Sequence, residues 1–342
     1  MSTATEAVGA LPLCRVRLGS AAPQLSQAAA GFTLLEQKGL LRLRYEGLAP
    51  FRREGIYPHD VVLEARLGDT VLAYDLADAC GEPTDKEGFD RQLERVAFYF
   101  KRNHNPRYSQ GMKYRNRIRP LGLNYYVTCP GNFMEARRAY TPEEYMSHNS
   151  YTAYNGLFLT RLWDPDVWGL SEQAAADIER VNALRIGCIR ACREALGERF
   201  YGGVEGSVFA QKAAPDLVLP LAETNRVAYL RRLKENYVCV AAAGSCHCVG
   251  REMAEYCAAG RAIVTEPLRA SVPGGFSRGK NYILYTTPEE CVRKLTALLG
   301  NVPGIHRMEA ANFGYYNSFV RPDAMVLRTL RKVWGKFPED CG

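Results

Sequence analysis

The chain contains no apolar run near the roughly 18 residues that read as a membrane span, the richest stretch being Tyr237 to Ala243. Its opening, MSTATEAVGALPL, lacks the basic region and long apolar core of a signal peptide and carries Glu6 there, so secretion is not expected. Internal repeats, low-complexity tracts and long linkers are missing, which excludes solenoids and collagen-like chains. His-Glu-x-x-His, Gly-x4-Gly-Lys-Ser/Thr and Gly-x-Gly-x-x-Gly are also absent, which removes the main support for a zincin, a P-loop enzyme or a Rossmann dehydrogenase.

What remains is an ordinary globular composition of 47% hydrophobic and 24% charged residues, over 342 residues. At about 150 residues per domain that length suggests two cores. Eleven cysteines, an odd count scattered from Cys14 to Cys341, fit reduced thiols used as small apolar residues and a cytosolic setting. The single Cys246-His247-Cys248 has no matching second pair, so the spacing offers no zinc site. A net charge of +7 is a modest bias that suits phosphates or an anionic surface, a membrane periphery included, and falls short of a dedicated nucleic-acid binder.

Short β-rich runs at 40–45, 61–66, 70–74, 96–100, 124–128, 156–162 and 237–241 alternate with helical stretches. The clearest helix opens at Ser171, carries Ile178, Val181, Leu184, Cys188 and Cys192 on one face and stops at Gly197; another opens at Thr287-Pro288 and closes at Gly300. This alternation predicts α/β units, divided into 1–151, 152–320 and a carboxy-terminal helix within 321–342 whose face holds Leu327, Leu330 and Trp334. Parallel strands present ligand groups at their carboxyl ends. That rule selects Asp75, Asp78, Lys101, Arg102 and Thr128 in the first half, and Arg161, the Gly202-Gly203 turn, Glu223 and the loop Gly244 to Cys248 in the second.

The run from Arg251 to Glu266, a short helix ended by Gly260 and followed by an apolar strand, resembles the donor-binding segment of GT-B glycosyltransferases. The resemblance places the hydroxyl-binding glutamate of the pattern Glu-Ala-x-Ala-x-Gly-x-Pro-Val on Glu255, five residues before Gly260. Gly279-Lys-Asn-Tyr-Ile-Leu-Tyr285 is similar to the strand that follows in the family and brings in Asn281, and Phe158 to Leu162 is similar to the strand end whose arginine, here Arg161, meets the donor diphosphate. Many retaining members carry a second glutamate eight positions earlier; here that position is His247, which leaves the stereochemical outcome open.

Physical chemistry alone supports the same placement. A glycine-containing loop entering a helix amino terminus offers oriented N–H groups to a diphosphate, with Ser245, His247 and the fork of Arg251 beside it. Arg251 and Glu255 also have the spacing of an exposed i,i+4 salt bridge, and His247 that of a structural imidazole. An acceptor hydroxyl needs a base at a strand end of the other domain: Asp75 and Asp78 qualify, each of which could equally be a turn or cap residue, with the loop imidazole of His59 next. The acid-free stretch from Lys101 to Arg119, rich in arginine and interleaved with Tyr108 and Tyr114, could meet a polyanionic acceptor or be a solvated loop.

The expectation is thus two facing Rossmann-like domains of GT-B-like build with a carboxy-terminal helix, transferring sugar from a nucleotide-sugar to a glycan, lipid-linked or other anionic acceptor. Such chemistry would serve cytoplasmic polysaccharide biosynthesis and need no metal or other cofactor, because basic side chains and a helix terminus neutralise the leaving diphosphate. The alternative is a noncatalytic sugar- or nucleic-acid-binding module on the same fold.

Overall fold

The structure is a computed structural model that describes residues 11–78, 85–134, 139–146, 155–167, 169–244 and 248–334. The first sheet comprises β1 (Leu13–Leu18), β2 (Arg42–Leu48), β3 (Val62–Leu67), β4 (Thr70–Asp75), β5 (Phe98–Lys101) and β6 (Ile118–Pro120), in the order β2-β1-β3-β4-β5-β6. Its helices are α1 (Ser26–Gln37), α2 (Lys86–Leu93) and a single turn, α3 (Pro142–Tyr145), in the crossing segment. The alternating pattern implied parallel strands throughout, but β3 runs antiparallel to both neighbours. Gly68 at φ +57° and Asp69 form a two-residue turn between β3 and β4, and so short a turn forces reversal.

The second sheet contains β7 (Gly156–Thr160), β8 (Phe200–Glu205), β9 (Val218–Leu219), β10 (Val238–Ala241), β11 (Ala262–Thr265) and β12 (Ile283–Leu284). All neighbours are parallel, in the order β12-β11-β10-β7-β8-β9. This is the doubly wound order, with its reversal between β7 and β10. The helices between its strands are α4 (Glu172–Leu196), α5 (Val208–Ala213), α6 (Leu221–Thr224), α7 (Arg226–Glu235) and α8 (Glu252–Ala258); after β12 come α9 (Pro288–Leu299), α10 (Val302–Tyr315) and α11 (Pro322–Trp334). Ser171 caps α4 by accepting from the Ala174 amide, and Thr287 caps α9 by accepting from the Glu290 amide, as the sequence signals require. No described helix is long and apolar enough to cross a membrane.

The expected strand at 124–128 reduces to one bridge, Val127 to Tyr140. Instead, Leu123, Tyr125, Val127 and Tyr145 pack with Leu230, Met253, Tyr256 and Tyr316 on one face of the second sheet, while α4 and α9 cover the other with Cys188, Cys192, Cys291 and Leu295. The expected boundary at 151/152 lies outside the described residues. Gly202-Gly203, read as a turn, lies inside β8: a Cβ on Gly202 would come within 2.3 Å of the Phe200 ring and one on Gly203 within 2.5 Å of Leu219, so close packing demands both glycines. The eight described cysteines are buried.

After α10 the chain passes through one π-helical turn, Tyr316–Val320, and α11 returns to the first domain. Met325, Val326 and Leu330 join Ala28, Phe32, Leu35 and Tyr74 in the core beneath α1, and the Tyr74 and Thr329 hydroxyls pair at 2.6 Å. The side chain of Trp334 lies outside the described residues. Gly31 makes this docking close, because a Cβ there would sit 2.4 Å from the Pro322 carbonyl oxygen and from Val326. Gly31→Ala is therefore expected to destabilise the protein by about 1–3 kcal/mol as an overpacked contact. Urea unfolding measures this, and an unchanged midpoint would show that α11 does not dock closely on α1.

Candidate functional site

The carboxyl ends of the two sheets meet. Beyond β5, Arg102 donates to the Val249 carbonyl at 2.8 Å, the Val249 amide donates to Asn103 Oδ1 at 3.2 Å, and the Ser271 amide donates to the His104 carbonyl at 2.7 Å. Val249 lies between β10 and α8, and Ser271 between β11 and β12, so the candidate site is the cleft formed where the edges join.

On the second domain's side, the strand reversal opens between the ends of β7 and β10. Arg161 lies at the end of β7, where its Nε and one terminal nitrogen bind Glu205 at 3.0 and 2.7 Å; its charge is paired at an exposed site. From α4, Arg185 reaches beneath both strands and donates to the carbonyls of Arg161 and Ala243. The Ala243 amide donates to Glu266 at the end of β11, at 2.7 Å. A small crevice here is lined by Ala243, Val249, Gly250, Met253 and Glu266. Ser245 and His247 lie outside the described residues.

Arg251 precedes α8 and lies over the Tyr126 ring at 4.9 Å. Glu255 is only 1% exposed, unlike a free acceptor of sugar or ribose hydroxyls. Its oxygens accept from Arg226 at 2.7 Å and Tyr229 at 2.6 Å, so the bond network around it differs from the exposed i,i+4 pair with Arg251 that spacing allowed. Burial works to raise its carboxyl, but the charges of Arg226 and Arg251 prevail and hold it below the usual range. Arg226 is enclosed by the rings of Tyr140, Tyr145 and Tyr229, a cation–π cage that ties the crossing segment to the second domain. Asn281, expected at the donor, is equally internal: Nδ2 donates to Asn312 at 3.0 Å and Oδ1 accepts from the Ser277 amide at 3.0 Å.

On the first domain's side, Asp75 ends β4 and is 1% exposed. Oδ2 accepts from Lys101 at 2.6 Å and Tyr99 at 2.9 Å, and Oδ1 from the Ala77 amide at 3.0 Å, with His59 Nε2 3.3 Å away. Burial alone would raise this carboxyl; Lys101 and then His59 outweigh it and hold it well below the ordinary range. A shielded, saturated carboxylate of low basicity is poorly built to take an acceptor's proton, and Lys101 is spent in holding it. His59 Nδ1 accepts from the Val61 amide at 3.2 Å, fixing the ring beside Asp75. Asp78 is the accessible acid, with its side chain 54% exposed and ion-paired to Arg102.

Sequence reasoning passed over His104, which follows Arg102 and Asn103 directly at the junction. It is 9% exposed, and its Nδ1 has no hydrogen-bond partner among the described residues. Burial, then the charges of Lys101 and Arg119, push its imidazole down to about 4, so it is neutral at neutral pH. The available signal was its place two residues beyond the selected Lys101-Arg102 pair. Much of the basic stretch is structural: Arg117 donates to the carbonyls of Leu93, at the end of α2, and of Glu94 and Val96 just beyond it, and Arg119 to that of Ile118.

Two short patterns resolve as local structure. Asp164-Pro165-Asp166 is an Asp-x-Asp in which Asp164 Oδ1 accepts from the Asp166 amide at 3.0 Å. Gly275-Phe-Ser-Arg-Gly279 has the letters of a nucleophile elbow but lies between β11 and β12, with no helix following it directly, and the Ser277 amide donates to Asn281. Among the described residues no group of three His, Cys, Asp or Glu side chains is placed to hold a metal ion.

The geometry defines a two-domain α/β protein with a cleft between facing carboxyl edges and a returning carboxy-terminal helix. No family model and no curated protein matches the chain. Among solved structures it is similar to HepE of Anabaena in complex with UDP and glucose, at 11% identity over 88% of this chain and 89% of that one, with a TM-score of 0.46. It is also similar to a glycosyltransferase from Rickettsia africae, at 9% identity over 74% and 66% of the two chains and a TM-score of 0.47. A third, TarM, a protein of S. aureus, gives 13% identity over 73% and 47% of the two chains, at a TM-score of 0.40.

The depressed carboxyl of Asp75 sets a pH dependence. Its folded value lies below the unfolded value of about 4, so its stabilisation is complete above that value and lost as pH falls through the folded one. Asp75→Asn, which leaves Lys101 facing a neutral amide, is expected to cost about 3 kcal/mol at pH 7. Urea titrations should show the gap between variant and wild type narrowing below about pH 4; a gap independent of pH would mean that the charge of Asp75 contributes nothing.

Proposed function

We propose that the protein is a glycosyltransferase: the second domain holds a nucleotide-sugar and the first presents an acceptor hydroxyl across the cleft. The observation that carries this reading is the position of the strand reversal between β7 and β10, which opens at the junction made by Arg102, Asn103 and His104. The diphosphate would lie over the ends of β7 and β10, beside Arg251 and the loop from Gly244, while Arg102 keeps positive charge at the acceptor edge. No metal is required in this scheme, because developing charge on the leaving diphosphate meets guanidinium groups and backbone N–H groups. The acceptor would be a glycan, lipid-linked or other anionic molecule, in a cytosolic setting and in polysaccharide assembly, with peripheral contact to a membrane where the acceptor is lipid-linked.

For the base, the saturated environment of Asp75 and the fixed ring of His59 favour the neutral imidazole of His104, with Asp78 next. An anionic diphosphate brought into the cleft raises the basicity of that imidazole. A binding module without turnover is the second reading, and the engagement of Glu255 by Arg226 and Tyr229 favours it.

Thermal denaturation against a panel of nucleoside diphosphates tests the common part of both readings, because a native-state ligand at 100 times its Kd adds about 2.7 kcal/mol. One diphosphate is expected to raise the Tm, and no shift with any of them would remove both. With that donor, His104→Asn is expected to lower kcat by roughly 10²- to 10⁴-fold and Asp78→Asn by a few-fold, with EDTA leaving the rate intact. The reverse order would make Asp78 the base, and binding without any turnover would establish the module.

A further inference from the structure

We propose that the groove between the π-helical turn and α11 binds the phosphate-bearing headgroup of an acidic phospholipid, so that α11 is the face by which the protein rests on a membrane. This assigns a surface to the membrane contact of the proposed reaction and does not depend on the chemistry of the cleft.

α11 docks on α1 through Met325, Val326 and Leu330, and Thr329 on the same side reaches the Tyr74 hydroxyl. Ala324, Leu327, Arg328 and Arg331, three or four residues apart, therefore share the opposite stripe of the helix. With Lys332 and with Phe319 from the π-helical turn they line an open groove of about 570 Å³. Ala324, Leu327 and Phe319 are half-buried, Arg331 and Lys332 are exposed, and no acidic residue lines the groove. The acid of α11, Asp323, is engaged elsewhere, accepting from Lys38 at 2.6 Å and from Arg321 at 2.8 Å. Arg328 donates to the Leu121 carbonyl at 2.5 Å. Burial lowers its guanidinium from the usual range, and the groups that act against burial are Tyr315 and Tyr74, with no carboxylate among them. An inorganic anion would meet only the cations of this groove, and a neutral lipid only its apolar side chains; an acidic phospholipid matches both. The Phe319 ring already stacks on Tyr315 at 5.1 Å and has Arg328 over it at 5.8 Å, so it is a poor platform for a nucleic-acid base. Three cations beside an acidic surface give peripheral, reversible binding that weakens with salt.

The test is co-sedimentation of the full-length protein with vesicles of phosphatidylcholine alone and of an equal mixture of phosphatidylcholine and phosphatidylglycerol. Wild type is expected to bind only the acidic vesicles, and less as salt rises. The double variant Arg331→Gln, Lys332→Gln is expected to weaken that binding by roughly tenfold or more. Arg52→Gln with Arg53→Gln, which removes two exposed charges from the loop between β2 and β3, is expected to leave it nearly unchanged. Ala324→Glu adds a carboxylate to the lining and removes no cation; it is expected to weaken binding as well, and it carries the test if the first double variant does not fold. Absence of binding to acidic vesicles, or equal binding to both compositions, overturns the proposal and leaves the reading of the cleft standing. Equal losses in the two double variants also overturn it, because net charge and not the groove is then what the vesicle meets. Binding that appears only in Glu339→Gln, Asp340→Asn overturns it too, since the acidic end of this chain is then the occupant, as does tighter, groove-dependent binding of a single-stranded oligonucleotide. Vesicle binding in the expected order sustains the proposal even where no nucleoside diphosphate binds.

Discussion

The hydrogen bonds from Arg102 to the Val249 carbonyl and from the Val249 amide to Asn103 set the two sheets edge to edge. Without them, two α/β layers joined by a crossing segment could present any pair of surfaces to one another. With them, the carboxyl end of β5 abuts the segment leading into α8, and everything that projects beyond strand ends on either side enters one cleft. Asn103 is buried and also donates to the carbonyls of Ala77 and Asp78, so the same side chain that meets the second domain fixes the loop after β4. The position of Asp78 at the cleft and the ion pair it makes with Arg102 follow from that anchoring.

Buried charge is distributed unevenly around this junction. Asp75 has Lys101 and a tyrosine, and Glu255 has Arg226 and a tyrosine; in each case a carboxylate is saturated and held ionised. Such pairs contribute little net stability over an apolar substitute but are costly to break, so they fix geometry more than they strengthen it. Other cations are less fully satisfied: Arg102, Arg185, Arg232 and Arg328 each keep a buried Nε, and neutral His104 a buried Nδ1, without a hydrogen-bond partner among the described residues. The saturated groups build the walls of the cleft.

Much of this was legible in the sequence. Both clear helices carry the caps their first residues announce, and the parallel second sheet follows from short apolar runs separated by amphipathic stretches. α1 was missed because its residues from Ser26 to Thr33 are all buried between the first sheet and α11, and a helix buried all round shows no polar face. The reversal of β3 was missed because the Gly68-Asp69 signal lies between runs that were read separately. At the site, strand-end reasoning found Asp75, Lys101, Arg102 and Arg161 but could not show which of them spend their charge on one another. Glu255 has the place in the chain that the family pattern gives it, and only the fold reveals Arg226, 29 residues earlier, as its partner.

The chain crosses between its domains twice, once through the segment holding Tyr125 and again through the π-helical turn at Tyr316. The hydroxyls of these two tyrosines pair at 2.8 Å. The crossings are therefore tied at a buried point, and Gln27 of α1 adds a bond to the Val320 carbonyl at 2.6 Å beside it. A rotation about that fastening would leave both covalent connections tied, whereas a separation of the domains would have to break it. The bonds that such a rotation would break include the ones from Arg102 to Val249, from Val249 to Asn103 and from Ser271 to His104, two neutral contacts with a net worth of about 1 kcal/mol each and one from a guanidinium worth about 1.5–3 kcal/mol. Two of the three involve only backbone and an amide side chain, so opening would leave no buried ion pair broken. The firm ion pairs of Asp75 and Glu255 each lie on one side of the cleft and travel with their domains, which lets the edges part without disturbing the walls that shape them.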